Sequence, residues 1–314
     1  MLINPYYLQI ASFILINILL GISIYITLAT GQLSLGNAGF MSIGAYTSAL
    51  LTTKLGVPIP IGMMIGALLA GLFGILIGIP TLRLHGVYLA IATLGFGEVV
   101  RVIFINWESM TSGAVGVAGI PHLGRTILAG VQKQGFSPET WGLKNNEFTG
   151  LVVFLILLLI TLLVIVFFAR LNRSRVGRAF QAIRQDEKAA SAMGINTTYY
   201  KILTFSQGAV LAGFAGALFA HVTGYISPAD FTYHRAVEIL VFAVFGGGEI
   251  LWGPIFGATF LTIMPEMLRS LSEYRYMIYG AVLVLMMVFR PQGFIDADLI
   301  LRLKGKKKEK VYAA

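Results

Sequence analysis

The chain has 314 residues, 57% of them hydrophobic and only 12% charged, with a formal net charge of +9 and no cysteine. Soluble domains are usually about one-quarter charged, so an ordinary water-soluble enzyme or binding module is excluded. Disulfides, thiolate catalysis and cysteine metal sites are excluded with it. The expected fold class is an all-α polytopic membrane protein with about eight to nine transmembrane segments, one or two of them broken or re-entrant. A spanning helix takes about 20 residues, and a charge at mid-membrane costs about 2.5–3.5 kcal/mol on insertion scales.

Met1–Tyr7 lacks the basic start of a secretory signal, so the first apolar run is expected to be retained. Apolar runs place spans at about 6–29, 34–53, 59–80, 86–107, 149–169, 201–223, 235–249, 253–270 and 275–291. No charged side chain occurs before Lys54. The second run is interrupted by Gly31, Gly36, Gly39 and Gly44, with Ser34, Asn37, Ser42 and Tyr46 as polar company. Either it packs closely on a neighbour through small residues, or it is a broken or re-entrant helix lining a cavity. The run at 235–249 ends in Gly246-Gly247-Gly248 and is a second candidate break. Gly31–Gly36 and Gly248–Gly253 share glycines five apart, a faint hint of an internal repeat.

In the fourth run Glu98 and Arg101 stand at i, i+3 and can neutralise each other on one helix face. They form either a structural ion pair or part of a transport path. The loop 108–148 carries only Arg125, Lys133 and Lys144 as basic residues. Its Gly113, Gly116 and Gly119 have no preceding strand to make a nucleotide loop. By contrast 170–190 holds Arg170, Arg173, Arg175, Arg178, Arg184 and Lys188, and seven more basic residues follow from Arg290. The positive-inside rule then puts 170–200 and the C-terminus in the cytoplasm and 108–148 outside. The expected organisation is a permease domain over 1–294 and a basic tail over 295–314 that touches anionic lipid. Nine full spans put the N-terminus outside; a re-entrant second segment puts it inside.

Val176, Ala179, Phe180, Ile183, Ala190 and Met193 fall on one face of a helical pattern that ends at Gly194 and Asn196. This helix either lies in the headgroups, the reading the residues alone favour, or inserts into a groove on a soluble partner. A phosphate loop and the H-E-x-x-H motif are absent, and His85, His122, His221 and His234 show no ligand spacing. No catalytic residue, metal site or cofactor is expected, nor a nucleic-acid surface.

Gly31-Gln32-Leu33-Ser34-Leu35-Gly36-Asn37-Ala38-Gly39-Phe40, continuing through Tyr46-Thr47, closely resembles a pattern of the bacterial branched-chain amino acid ABC transporter permeases, LivM-like branch. Similar matches follow in order: Gly86 to Phe96 with Glu98 and Arg101, Thr111 to Pro121, Gly177 to Arg184, Asp186 to Ile195, Gly246 to Pro254, Pro265-Glu266 and Pro291-Gln292-Gly293.

The resemblance implies a membrane subunit of an ATP-driven importer for branched-chain amino acids. Its implied partners are a second permease, two cytoplasmic ATP-binding subunits and an extracytoplasmic substrate-binding protein. It makes 170–200 a coupling loop, with Gln185, Asp186, Glu187, Ala190 and Gly194 facing the ATPase. Asn37, Tyr46, Glu98 and Arg101 are the expected path-lining residues. The loop departs from the wider importer pattern in placing Lys188 between Glu187 and Ala189-Ala190. Urea or short amides are alternative substrates within the family. A stand-alone secondary transporter or channel is a competing class, for which only Glu98 and Glu238 offer coupling carboxylates; a membrane-embedded enzyme has no constellation to support it.

Overall fold

A computed structural model describes residues 4–81, 84–133 and 144–267 and single positions between 274 and 294. The expected last span, 275–291, the Pro291-Gln292-Gly293 motif and the basic tail fall largely or wholly outside the described residues. The helices are α1 (Pro5–Leu28), α2 (Asn37–Lys54), α3 (Ile59–Thr81), α4 (Val87–Asn106), α5 (Glu108–Thr111), α6 (Leu123–Lys133), α7 (Asn145–Arg173), α8 (Arg175–Gln185), α9 (Glu187–Ala192), α10 (Thr197–Thr223), α11 (Tyr233–Gly246) and α12 (Trp252–Met267). One departure from all-α is a two-residue antiparallel ladder in which β1 (Val117–Ala118) pairs with β2 (Tyr225–Ile226).

Among the described residues five helices, α1, α3, α4, α7 and α10, are long and apolar enough to cross a membrane. Their burial does not follow apolar character as it would in a water-soluble bundle. The most apolar, α7, is only 22% buried, whereas the more polar α10 is 61% buried. In water the order would reverse, because burial follows apolar surface. In lipid, large aliphatic side chains can face outward at no cost and small residues draw backbones together.

Helix α3 illustrates this: Gly62, Gly66, Ala70, Gly74 and Gly78, four apart, face inward while Leu68, Leu72, Leu76 and Ile79 are exposed. Gly44 of α2 and Gly213 of α10 face this stripe, while Gly208 and Gly216 of α10 face Ser23 of α1 and Met41 of α2. A Cβ on Gly44 would overlap the backbone of Gly213, and one on Gly216 the carbonyl of Met41. A Cβ on Gly39 would sit 2.8 Å from Gly97 Cα.

The second segment is a turn followed by a helix. Its irregular part is confined to the buried turn before Asn37, and α2 continues unbroken through Gly39 and Gly44. Gly31, just ahead of it, abuts Arg184 in α8, while Lys54 at its other end donates to the Ser109 carbonyl at 3.1 Å. Eighteen residues reach about 27 Å, so α2 runs from one end of the bundle to the other. The second expected break, 246–253, is the turn between α11 and α12. A Cβ on Gly246 would overlap Gly253, so the two helices meet there backbone to backbone.

The two ends of the bundle are distinct. The α1–α2 turn, α8, α9 and the α11–α12 turn share one end, where Phe294 N also donates to the Phe245 carbonyl at 2.9 Å. The other end carries α5, the ladder, α6 and the start of α7. There Leu8 of α1 touches Gly150.

Candidate functional site

The basic segment folds as two short helices rather than the single amphipathic helix expected. Ser174 Oγ caps α8 by accepting from Gly177 N at 3.3 Å. Gly177 allows the sharp bend from α7, since a Cβ there would lie 2.5 Å from the Leu171 and Asn172 carbonyl oxygens. α8 buries Ala179, Phe180 and Ile183 and exposes Arg178, Gln181, Arg184 and Gln185.

Asp186 then adopts an extended conformation, and its carboxylate accepts from Lys188 N and Ala189 N at 2.8 and 3.0 Å. A carboxylate aimed at its own backbone favours a new helix start over continuation, which is why the pattern breaks there.

Three of the five residues expected to face the ATPase have internal duties. Asp186 caps α9. Glu187 binds Lys201 Nζ at 2.5 Å and has His85 Nε2 at 3.8 Å, tying α9 to the start of α10 and the α3–α4 connection. Ala190 is buried, with 4% exposure.

Gly194 has φ +82° and nothing within 4 Å of a would-be Cβ. It ends α9 in the left-handed region, where Gly194 N donates to Ser191 O at 3.0 Å and Ile195 N to Ala190 O at 3.1 Å. The four-residue spacing from Ala190 to Gly194 is thus a helix-stop geometry. Gln185 is exposed at the corner. Met193, expected on the apolar inner face, instead projects outward with 83% exposure. Arg184 Nη2 bonds Glu249 Oε1 at 3.0 Å and braces the corner against the α11–α12 turn.

The four residues expected along the path are dispersed. Asn37 is buried and donates to Ser23 Oγ at 2.6 Å. Tyr46 is fully buried, stacked on Phe104 with centroids 4.2 Å apart, and its hydroxyl has no hydrogen-bond partner among the described residues. Arg101 Nε meets Glu98 Oε2 at 2.7 Å. The other Glu98 oxygen accepts from Tyr233 N at 3.0 Å, placing its negative charge at the N-terminus of α11.

Gly113, Gly116 and Gly119 all have positive φ; the first two shape the turn that feeds β1, where a Cβ on Gly116 would overlap Ile226, and Gly119 directly follows the strand. His221 is fully buried between Ser48 Oγ and the Pro121 carbonyl, both at 2.8 Å, and locks α2, α10 and the outer segment together.

A further charged group escaped the sequence reading. Arg235 bonds Glu238 Oε2 and Asn17 Oδ1, each at 2.7 Å, at the end opposite α8 and α9. The same i, i+3 spacing that singled out Glu98 and Arg101 also marks Arg235 and Glu238. Asn17, in an apolar run, gave no such signal.

The family model described as "Branched-chain amino acid transport system / permease component" matches residues 6–287. The "High-affinity branched-chain amino acid transport system permease protein LivM" of Salmonella typhimurium is 37% identical over 300 residues, covering 91% of this chain and 69% of that protein. LivM of Escherichia coli K12 is 38% identical over 297 residues with the same coverage. The permease protein LivH of Salmonella typhimurium is 29% identical over 194 residues, 60% of this chain and 59% of its own length. No solved structure matches the chain.

Proposed function

Since this chain belongs to the branched-chain amino acid transport permease family, we propose that it is the membrane-spanning subunit of an ATP-driven importer of leucine, isoleucine and valine. The match to LivM along 91% of the chain carries this reading. In it the chain forms half of a translocation path and performs no covalent chemistry. It assembles with a second permease related to LivH, two cytoplasmic ATP-binding subunits and an extracytoplasmic substrate-binding protein. It sits in the bacterial inner membrane with nine spans, the α8–α9 end and the C-terminus in the cytoplasm and the N-terminus outside. The basic residues at that end support the orientation.

Energy enters at the α8–α9 corner. A partner that moves Met193 and Gln185 moves α9, and the Glu187–Lys201 contact passes the motion to α10. Arg184 and Glu249 pass it to α11 and α12. Because α10 packs along α1, α2 and α3, a shift of its first turn reaches the centre of the bundle. For Asn37, Tyr46, Glu98 and Arg101 to line the path, α2 and α4 must part from their neighbours during this movement. A stand-alone ion-coupled transporter is disfavoured, since its candidate carboxylates, Glu98 and Glu238, each already bind an arginine.

The test is uptake by proteoliposomes holding the assembled complex and binding protein. Leucine uptake should require ATP and the ATP-binding subunits. Uptake by this chain alone, driven by an ion gradient, would refute the reading.

A further inference from the structure

At the end opposite α8 and α9, a cavity of about 420 Å³ opens between the N-terminal half of α1, the end of α10, the start of α11 and the end of α12. Small-molecule sites are usually about 300–1,000 Å³, mostly apolar, with a few convergent polar groups. This cavity has that character. One wall is Ile10, Phe13 and Phe219; the other carries Arg235, Glu238, Asp230 and Glu266.

We propose that this cavity is a binding site for a zwitterionic α-amino acid with an apolar side chain; the proposal rests on the transport reading above and gives that path a specific contact site. Among the described residues Asp230, Glu238 and Glu266 set carboxylate oxygens around the one guanidinium, positions from which an ammonium group can be held. Arg235 uses Nη1 on Glu238 and Nη2 on Asn17, and its five N–H donors leave capacity for a substrate carboxylate. Asn17 is held in register because its Nδ2 donates to Thr262 Oγ1 at 2.9 Å, which turns its carbonyl oxygen toward Arg235. Asp230 is fixed by accepting from Ser227 N and Oγ at 2.7 and 3.2 Å.

The charges are thus set on α11, α12 and a capped turn, while the apolar wall comes from α1 and α10. A ligand with ammonium and carboxylate on one carbon and a branched aliphatic group on the other side matches this division. A simple cation would leave Arg235 unused and the apolar wall unfilled.

Because the natural chain has no cysteine, a thiol placed in the cavity reports on it alone. Thr262→Cys would be introduced into the complete transporter in proteoliposomes, and its alkylation rate followed by mass spectrometry of this chain. Millimolar leucine should slow labelling about tenfold, as a free concentration roughly ten times the dissociation constant would. Leucinamide, which lacks the carboxylate, and 2-hydroxy-4-methylpentanoate, which lacks the ammonium, should not protect. Arg235→Gln should abolish protection by leucine.

If Thr262→Cys prevents assembly, Phe13→Cys on the opposite wall serves the same measurement. Unprotected labelling of both Thr262→Cys and Phe13→Cys, in complexes that themselves still transport leucine, overturns this site and leaves the transport reading standing. Equal protection by leucine and leucinamide also overturns it. Failure of the unmodified complex to transport leucine overturns the transport reading itself.

Discussion

Gly44, Gly213 and Gly216 are residues on which helix spacing depends directly, because Gly44 and Gly216 face backbone and Gly213 faces the Ala70 methyl, which has no rotamer to yield. Gly44→Ala must push α2 from α10 and should cost about 1–3 kcal/mol, seen as a lower unfolding temperature in detergent. An unchanged temperature would contradict the packing.

Gly194 differs: its constraint is the positive φ, with open space around it. In the isolated chain Gly194→Trp should therefore be no worse than Gly194→Ala, each costing about 1–2 kcal/mol, and Gly194→Asn should be milder. If Trp abolishes transport in the assembled complex while Ala preserves it, a partner occupies that space.

His122, outside the spans, has its pKa lowered by burial and by Arg125. Its Nδ1 accepts from Gly124 N at 3.2 Å, which requires the neutral ring. The unfolded chain then binds the proton more readily, so stability is full above the unfolded pKa and falls as pH drops below it. Protection from hydrogen exchange at 119–124, measured relative to the intrinsic rate at each pH, should fall between pH 7 and 5, and His122→Asn should remove that fall.

At the scale of elements, the corner between α8 and α9 is the joint through which a partner's motion must pass. Lys201 is nearly buried, and its ammonium rests on a Glu187 side chain that is 37% exposed. Glu187→Gln should cost on the order of 1 kcal/mol after solvent screening, and transport per ATP hydrolysed should fall more than assembly does. The exchanged pair Glu187→Lys with Lys201→Glu should recover part of the loss. Additive single effects would show that the contact carries no coupling.

The sequence showed the amphipathic face of α8 and the stop at Gly194. It did not show the break at Asp186, because Val176 to Met193 keeps a helical apolar period across the corner. Only the preference of aspartate for capping argued otherwise. In the same way, glycines in the second segment read equally as breaks or as close-packing positions, and in α2 they serve close packing. A helix-breaking residue and a helix-packing residue are the same residue type, and the neighbours decide between them.

For the whole molecule, apolar length fixed most of the bundle. α1, α3, α4, α7 and α10 lie within a few residues of the runs that announced them. What composition could not reveal was the assembly of contacts between distant segments. Asn17 with Arg235 and Thr262, or Glu98 at the start of α11, join residues more than 130 positions apart.

The account stands on one arrangement: a transport bundle moved by a separate ATPase that grips the α8–α9 corner. The absence of cysteine permits a direct measurement with Met193→Cys in native membranes. The account predicts a cross-link from that thiol to the ATP-binding subunit, strengthened or weakened by nucleotide, and no reaction with impermeant thiol reagents added from outside the cell. Labelling from outside, or no cross-link to any ATP-binding subunit in an actively transporting complex, would contradict it.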